Sequence, residues 1–231
     1  NTKTGRFVLV DQYETVGGGI ISMEGYPNQR GRHNVVSTNI EEVTSKIDQK
    51  TRASVNGHTG GIIWLTGLSG AGKSTIAIEA ERQLFQKGYQ IYVLDGDNIR
   101  FGLSADLGFT PADRTENIRR IGEVAKLFAD AGVVVITAFI SPYRDDRNRV
   151  RAIAPDQFHE VFIKADLSTC ETRDPKGLYA KARNGEIEDF TGVSAPYEEP
   201  TDANLIIDTG AQNIDQSVSK LLDYVSLNFK S

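Results

Sequence analysis

Cysteine is almost absent from this chain: Cys170 is the only one in 231 residues. A single thiol excludes an internal disulfide and agrees with a reducing compartment, and nothing around it in sequence marks a nucleophile. Histidine is nearly as scarce. His33, His58 and His159 lie too far apart for the short spacings of metal ligands, so each is read as structural or surface. Long apolar runs are missing as well: none approaches the roughly 20 residues that span a bilayer. The stretch Asn1-Thr2-Lys3-Thr4-Gly5-Arg6 has no apolar core of the signal-peptide kind, so a cytoplasmic protein without a membrane partner is expected. An excess of positive charge is lacking too. With 26 Lys and Arg against 31 Asp and Glu, the formal net charge is -5, which argues against a general nucleic-acid binder. Local basic clusters can still hold a small anion.

What is present is ordinary for a globular chain. Hydrophobic residues make up 39% and charged residues 25%, and the length suits one domain with an extension. The organising stretch is Gly67-Leu68-Ser69-Gly70-Ala71-Gly72-Lys73-Ser74-Thr75, which fits G-x-x-x-x-G-K-[ST]. Its glycines let backbone N–H groups turn inward on an anion, Lys73 can reach the β- and γ-phosphates, and the Ser74 hydroxyl can ligate Mg²⁺. A Gly/Ser-rich turn fitting the pattern by chance is the bland alternative. Chance does not readily add the apolar strand Ile62-Ile63-Trp64-Leu65-Thr66 before it and an amphipathic run after it.

Taken in order, Arg6-Phe7-Val8-Leu9-Val10 and Gly17-Gly18-Gly19-Ile20-Ile21 have strand character. Residues 25–60 are rich in Asn, Thr, Ser, Arg and Gly and read as a linker or arm. Within the arm a short helix is expected over Ile40 to Arg52, with Ile40, Val43 and Ile47 on one face and Thr38 or Asn39 as cap. After the P-loop, Ile76, Ala77, Ala80 and Leu84 recur at helical spacing up to Gly88. A second strand, Ile91 to Leu94, runs into Asp95-Gly96-Asp97-Asn98, which places both aspartates near the P-loop if the sheet is parallel. Thr110-Pro111 starts a helix that continues to Gly132. Further strands are read at Val133 to Ile140, Val161 to Ala165 and Leu205 to Asp208, and a last helix carries Ile214, Val218, Leu221, Leu222 and Val225. The Arg- and Asp-dense residues 144–151 read as a solvated helix face. Residues 171–200 show little core pattern; their cations suit a mobile lid over phosphates, with an exposed helical hairpin as the alternative. The alternation implies an α/β P-loop NTPase fold, a parallel β-sheet with helices on both faces.

Beyond the P-loop, several blocks resemble the adenylyl-sulfate kinase (APS kinase) family. They are Leu94-Asp95-Gly96-Asp97-Asn98-Ile99-Arg100, Asp106-Leu107-Gly108-Phe109, Asp113-Arg114, Glu116-Asn117-Ile118-Arg119-Arg120 and Phe139-Ile140-Ser141-Pro142. Arg173-Asp174-Pro175-Lys176-Gly177-Leu178-Tyr179, Phe190-Thr191-Gly192 and Pro196-Tyr197-Glu198 complete the set, and the likeness runs from about Gly60 to Tyr224. The resemblance implies ATP-dependent phosphorylation of the 3′-hydroxyl of adenylyl sulfate, giving 3′-phosphoadenylyl sulfate and ADP. It implies Asp97 as base or orienter with Lys73 as the catalytic cation, and ATP held by Gly67, Ser69, Gly70, Ala71, Gly72, Lys73, Ser74 and Thr75. Mg²⁺ falls to Ser74, with Asp95 acting through water. Arg100, Arg114 and Asn117 are implied at the phosphosulfate, Phe109 and Phe190 around the adenine, and Ile140, Ser141, Lys176, Gly177 and Leu178 around the rest of the acceptor. Both phenylalanines sit in polar, glycine-flanked loops, a poor place for a core residue.

Two departures concern packing rather than chemistry. Phe101 stands where the family frequently has His, and the arm lacks the tryptophan often found near the start of family members. Residues 6–21 resemble the closing hairpin of the last β-barrel of translation-factor-like GTPases such as the large subunit of sulfate adenylyltransferase. An ordinary strand pair laid on the next domain fits equally. The domain reading is a β-rich tail at 1–24, the arm at 25–60 and the kinase domain at 61–231 with its lid at about 171–200. It makes the chain part of a fused sulfate-activating polypeptide, with sulfate adenylyltransferase subunits as partners and a homodimer as the expected assembly. A nucleoside-monophosphate or small-alcohol kinase, and a silent nucleotide-binding regulatory module, remain the rival functions.

Overall fold

The computed structural model describes residues 4–11, 14–22, 43 and 45–230. The chain divides into two compact units, residues 1–43 and 44–231. In the first, β1 (Thr4–Asp11) pairs antiparallel with β2 (Glu14–Ser22), with Phe7 opposite Gly19 and a register shift between Leu9 and Val10. Most of the arm, and His33 with it, lies outside the described residues.

The expected helix over 40–52 is corrected. Residues 40–42 and 44 lie outside the described residues, and the observed α1 spans Gln49–Asn56. Its start is set by Asp48, whose carboxylate accepts from the Thr51 amide at 2.8 Å, and Gly57 ends it in the left-handed region at φ 73°. Val43 and Ile47, two of the three apolar positions expected on that helix, are exposed.

The second unit is built on a five-stranded sheet, all parallel, in the order β4-β5-β3-β6-β7. These strands are β3 (Gly61–Thr66), β4 (Ile91–Asp95), β5 (Val134–Ala138), β6 (Phe158–Lys164) and β7 (Leu205–Asp208). The central strand β3 is buried at every position, as a strand covered on both faces must be. Its alternation splits the core in two. Ile63 and Leu65 pack with α2 (Lys73–Gln86) and α8 (Ile214–Asn228), whereas Ile62 and Trp64 pack with α4 (Pro111–Asp130) and α5 (Arg144–Ile153). Thr110 caps α4 through its hydroxyl with Pro in the first turn, and Asn213 and Gln216 form a reciprocal capping box on α8.

Three short helices escape the sequence pattern: α3 (Gly96–Phe101), α6 (Leu167–Arg173) and α7 (Leu178–Arg183). Two readings of polar stretches are corrected. Asp146 and Arg147 on α5 are buried, because Arg147 meets Glu160 at 2.6 Å inside the fold. Within 171–200, Tyr179, Ala182 and Phe190 join the core on the α2 side. Among the described residues no helix is long and apolar enough to cross a membrane.

Candidate active site

At the carboxyl ends of the strands lies a cleft of about 1300 Å³. One wall is the loop between β3 and α2. Gly67 adopts φ 153°, and a Cβ there would lie 2.4 Å from the Ile163 carbonyl oxygen, so a side chain would push the loop off β6. Gly70 (φ 75°) passes close to α6, where a Cβ would meet the Cys170 carbonyl at 3.0 Å. From the same side the Tyr179 hydroxyl donates to the Ser69 carbonyl at 3.0 Å. The loop is thus clamped from behind, and its far end opens onto the N-terminus of α2, where backbone N–H groups lack intrahelical partners.

Lys73 folds back over this loop, donating from Nζ to the Gly67 and Leu68 carbonyls at 2.9 and 2.7 Å. Burial strips water from its ammonium and lowers the pKa from the ordinary 10.5 to about 8. Ser74 donates from Oγ to Asp95 Oδ2 at 2.6 Å, while the other Asp95 oxygen accepts the Asp97 amide at 3.0 Å and so caps α3. Asp97 on that first turn meets the Lys176 ammonium across the cleft. The segment bearing Lys176 is pinned at both ends: Arg173 donates to the Thr209 carbonyl at 2.6 Å, and the Asp174 carboxylate accepts the amides of Leu178, Tyr179 and Ala180.

The opposite wall carries the aromatic and basic residues. Phe109 is 64% exposed, and the Arg100 guanidinium covers one face of its ring at 4.2 Å from the centroid. Burial and the nearby Arg114 charge both lower the Arg100 pKa. Arg114 spends all three nitrogens on the protein, donating to the Phe109 carbonyl at 2.8 Å, Thr191 Oγ1 at 2.7 Å and the Asp189 carbonyl at 2.6 Å. It joins the Phe109 loop to the 189–191 turn. Asn117 is buried on α4, and its Oδ1, among the described residues, has no hydrogen-bond partner. Phe190 lines the cleft, but it is also a core residue, 7% exposed and set edge-on against Tyr179 at 5.0 Å. That corrects the view that its loop is a poor place for a core side chain: Arg114 and the Ser194 hydroxyl fasten the turn around it.

Most of the residues singled out from sequence therefore border one cleft. Gly67, Ala71 and Gly177 do not line it: Ala71 is buried in the core, and Gly67 and Gly177 hold backbone turns at positive φ. Sequence reading missed Thr209 and Gln212, which border the P-loop side just after β7. The rule that ligands gather beyond the carboxyl ends of parallel strands points to both. Among the described residues no group of three or more His, Cys, Asp or Glu could hold a metal ion.

Comparison with known proteins decides the family. The model of the adenylylsulphate kinase family matches residues 59–208. This chain belongs to that family. An adenylyl-sulfate kinase of Bacillus pumilus is 60% identical over 182 residues, 78% of this chain and 92% of its own length. Another from Bacillus licheniformis is 63% identical over 171 residues, covering 74% of this chain and 87% of its own. A solved structure of the Mycobacterium tuberculosis APS kinase CysC, in complex with AMPPNP and APS, is 48% identical with a TM-score of 0.70 and covers 73% of this chain and 98% of its own. The adenylylsulphate kinase match begins at residue 59, two residues before β3, and reaches Asp208, the end of β7.

Proposed function

We propose that this chain transfers the γ-phosphoryl group of ATP to the 3′-hydroxyl of adenylyl sulfate, giving 3′-phosphoadenylyl sulfate and ADP. The observation that carries the reading is a single cleft with an anion-binding P-loop on one wall and a carboxylate, cations and an exposed aromatic ring on the other. The new bond joins the ribose oxygen to phosphorus as the bond from phosphorus to the ADP oxygen breaks. The hydroxyl proton passes to Asp97, the carboxylate best placed to take it. Lys73 and the P-loop amides neutralise charge on the transferred group, and Lys176 exchanges its contact with Asp97 for the anionic acceptor. Arg100 and Asn117 receive the phosphosulfate. Phe109 supplies one flat face for the adenine and Phe190 the other.

Ser74 would hold Mg²⁺, with Asp95 acting through water. Two hard oxygens 2.6 Å apart beside a phosphate site fit an ion that takes few protein ligands and keeps several waters. Bound there, the ion supplies charge neutralisation on the β- and γ-phosphates. The lid within 171–200 moves at its Pro175-Lys176-Gly177 turn, between its two anchors, while Tyr179, Ala182 and Phe190 stay in the core. The hairpin of β1 and β2 supports a preceding barrel-like domain in a fused sulfate-activating polypeptide, with sulfate adenylyltransferase as neighbour. A cytoplasmic homodimer completes the proposal.

The test is product identity. Incubation with ATP and adenylyl sulfate should yield a nucleotide heavier by one phosphate, placed at the 3′ position by ³¹P NMR. AMP and small alcohols offered in parallel should give none, and phosphorylation of either in preference to adenylyl sulfate would overturn the assignment.

A further inference from the structure

We infer that Arg147 is a positioning residue for the acceptor half of the cleft, acting through Ser141. The inference rests on the reaction proposed above. Arg147 is 1% exposed, and each of its guanidinium nitrogens is spent on a different element. Nε donates to Glu160 on β6 at 2.6 Å, one terminal nitrogen to the Ser141 carbonyl at 2.7 Å and the other to the Glu198 carbonyl at 2.7 Å. The second Glu160 oxygen accepts from Arg151 at 2.7 Å, so the buried carboxylate is fully engaged.

Stability alone is a weak reason for such a network. Desolvating a guanidinium and a carboxylate costs about as much as their pairing returns, and apolar packing of equal volume is often no less stable. What the network does is fix one turn. Ser141 sits at φ 40°, a left-handed conformation unusual for a residue other than glycine, and such strain persists only where the surroundings over-determine it. Its carbonyl is held by Arg147, its Oγ accepts the Trp64 indole N–H at 3.1 Å, and the preceding Ile140 carbonyl accepts the Thr66 hydroxyl at 2.7 Å. Tyr197 closes the arrangement, its hydroxyl 3.0 Å from Thr66 and its ring 6.0 Å from the Arg147 guanidinium. With these oxygens tied back into the fold, the backbone N–H groups of Ile140 and Ser141 have no protein acceptor among the described residues and are available to a ligand, and both residues line the cleft. Arg147 never meets the acceptor. It sets the angle at which those amides do.

The experiment compares Arg147→Met, Arg147→Lys and Ser141→Ala with the parent in the full chain, measuring kcat, KM for adenylyl sulfate, KM for ATP and thermal unfolding. Arg147→Met is expected to raise KM for adenylyl sulfate by about tenfold or more, as small misplacements of binding groups do, with KM for ATP within about twofold. Arg147→Lys keeps the charge but reaches fewer acceptors, and should show the same split at smaller size. Should Arg147→Met fail to fold, Arg147→Lys and Ser141→Ala decide the matter alone. A lowered melting temperature with KM for adenylyl sulfate unchanged, or equal rises in both KM values, overturns the inference. A parent without acceptor-dependent ADP release would instead refute the underlying reaction, whereas an active parent with kinetically normal variants refutes only the role of Arg147.

Discussion

Lys73 carries the sharpest pH prediction. Its ammonium is enclosed by the P-loop, with two carbonyl acceptors and, among the described residues, no carboxylate within hydrogen-bond reach, and burial brings its pKa from 10.5 to about 8. The phosphates of ATP bind the protonated form. In the free protein, therefore, the competent fraction halves near pH 8 and falls to about a tenth one pH unit higher. Once ATP is bound, its anionic oxygens hold the proton on Lys73, so the complex does not share the inflection. Initial rates of ADP release, taken at saturating acceptor from about pH 6.5 to about pH 9.5, separate the two quantities, because kcat/KM reports the free enzyme and kcat the complex. We expect kcat/KM for ATP to bend downward near pH 8 while kcat stays level. A flat kcat/KM, or an identical bend in kcat, refutes the reasoning. The stability sign is opposite to that of an ion-paired lysine. Since the folded pKa lies below the unfolded one, carrying this charge costs about 3 kcal/mol below pH 8, a cost that fades as pH rises from 8 to 10.5. Lys73→Met should accordingly abolish ATP binding in calorimetry without lowering the melting temperature of the ligand-free protein.

Three other substitutions probe separate parts of the cleft. Asp97→Ala is expected to lower kcat by about 10² if the carboxylate takes the hydroxyl proton; near-normal turnover would remove it from the mechanism and leave the substrate assignment intact. Phe109→Ala deletes a largely exposed ring that stacks with Arg100, and should raise KM for adenylyl sulfate about tenfold with KM for ATP unchanged, as steady-state kinetics against each substrate will show. Asp95→Asn weakens the oxygen pair with Ser74, so a Mg²⁺ titration of activity should shift its midpoint upward; an unmoved midpoint would take Asp95 out of the metal site.

The parallel sheet was legible because each strand is a short apolar run ending at a turn or an aspartate, and α2, α4 and α8 carry apolar residues at helical spacing, with side-chain caps at Thr110 and Asn213 on the last two. Thr110 and Pro111 at the start of α4 illustrate how local chemistry fixes a boundary. The misses share a cause, which is that tertiary partners rescued residues whose local pattern is polar. Arg147 reads as a surface charge until Glu160, 13 residues later on the neighbouring strand, is brought against it. Tyr179 and Phe190 sit among charged and glycine residues, and only the tertiary packing of their segment onto the core on the α2 side makes an interior for them. The helix expected at 40–52 was placed too early, since Asp48 caps α1 and Val43 and Ile47, despite their spacing, are exposed before it. For the cleft, residues on contiguous motifs were found directly. Thr209 and Gln212, which no short motif announces, depend on the position of β7 at the end of the sheet.

The central claim, that the P-loop and the wall bearing Asp97 and Phe109 serve one transfer between two nucleotides, is tested most directly by ADP release with ATP and Mg²⁺ in the presence and absence of adenylyl sulfate. Turnover should depend on adenylyl sulfate and saturate with it. Equal ADP release in both arms, or none in either, would contradict it.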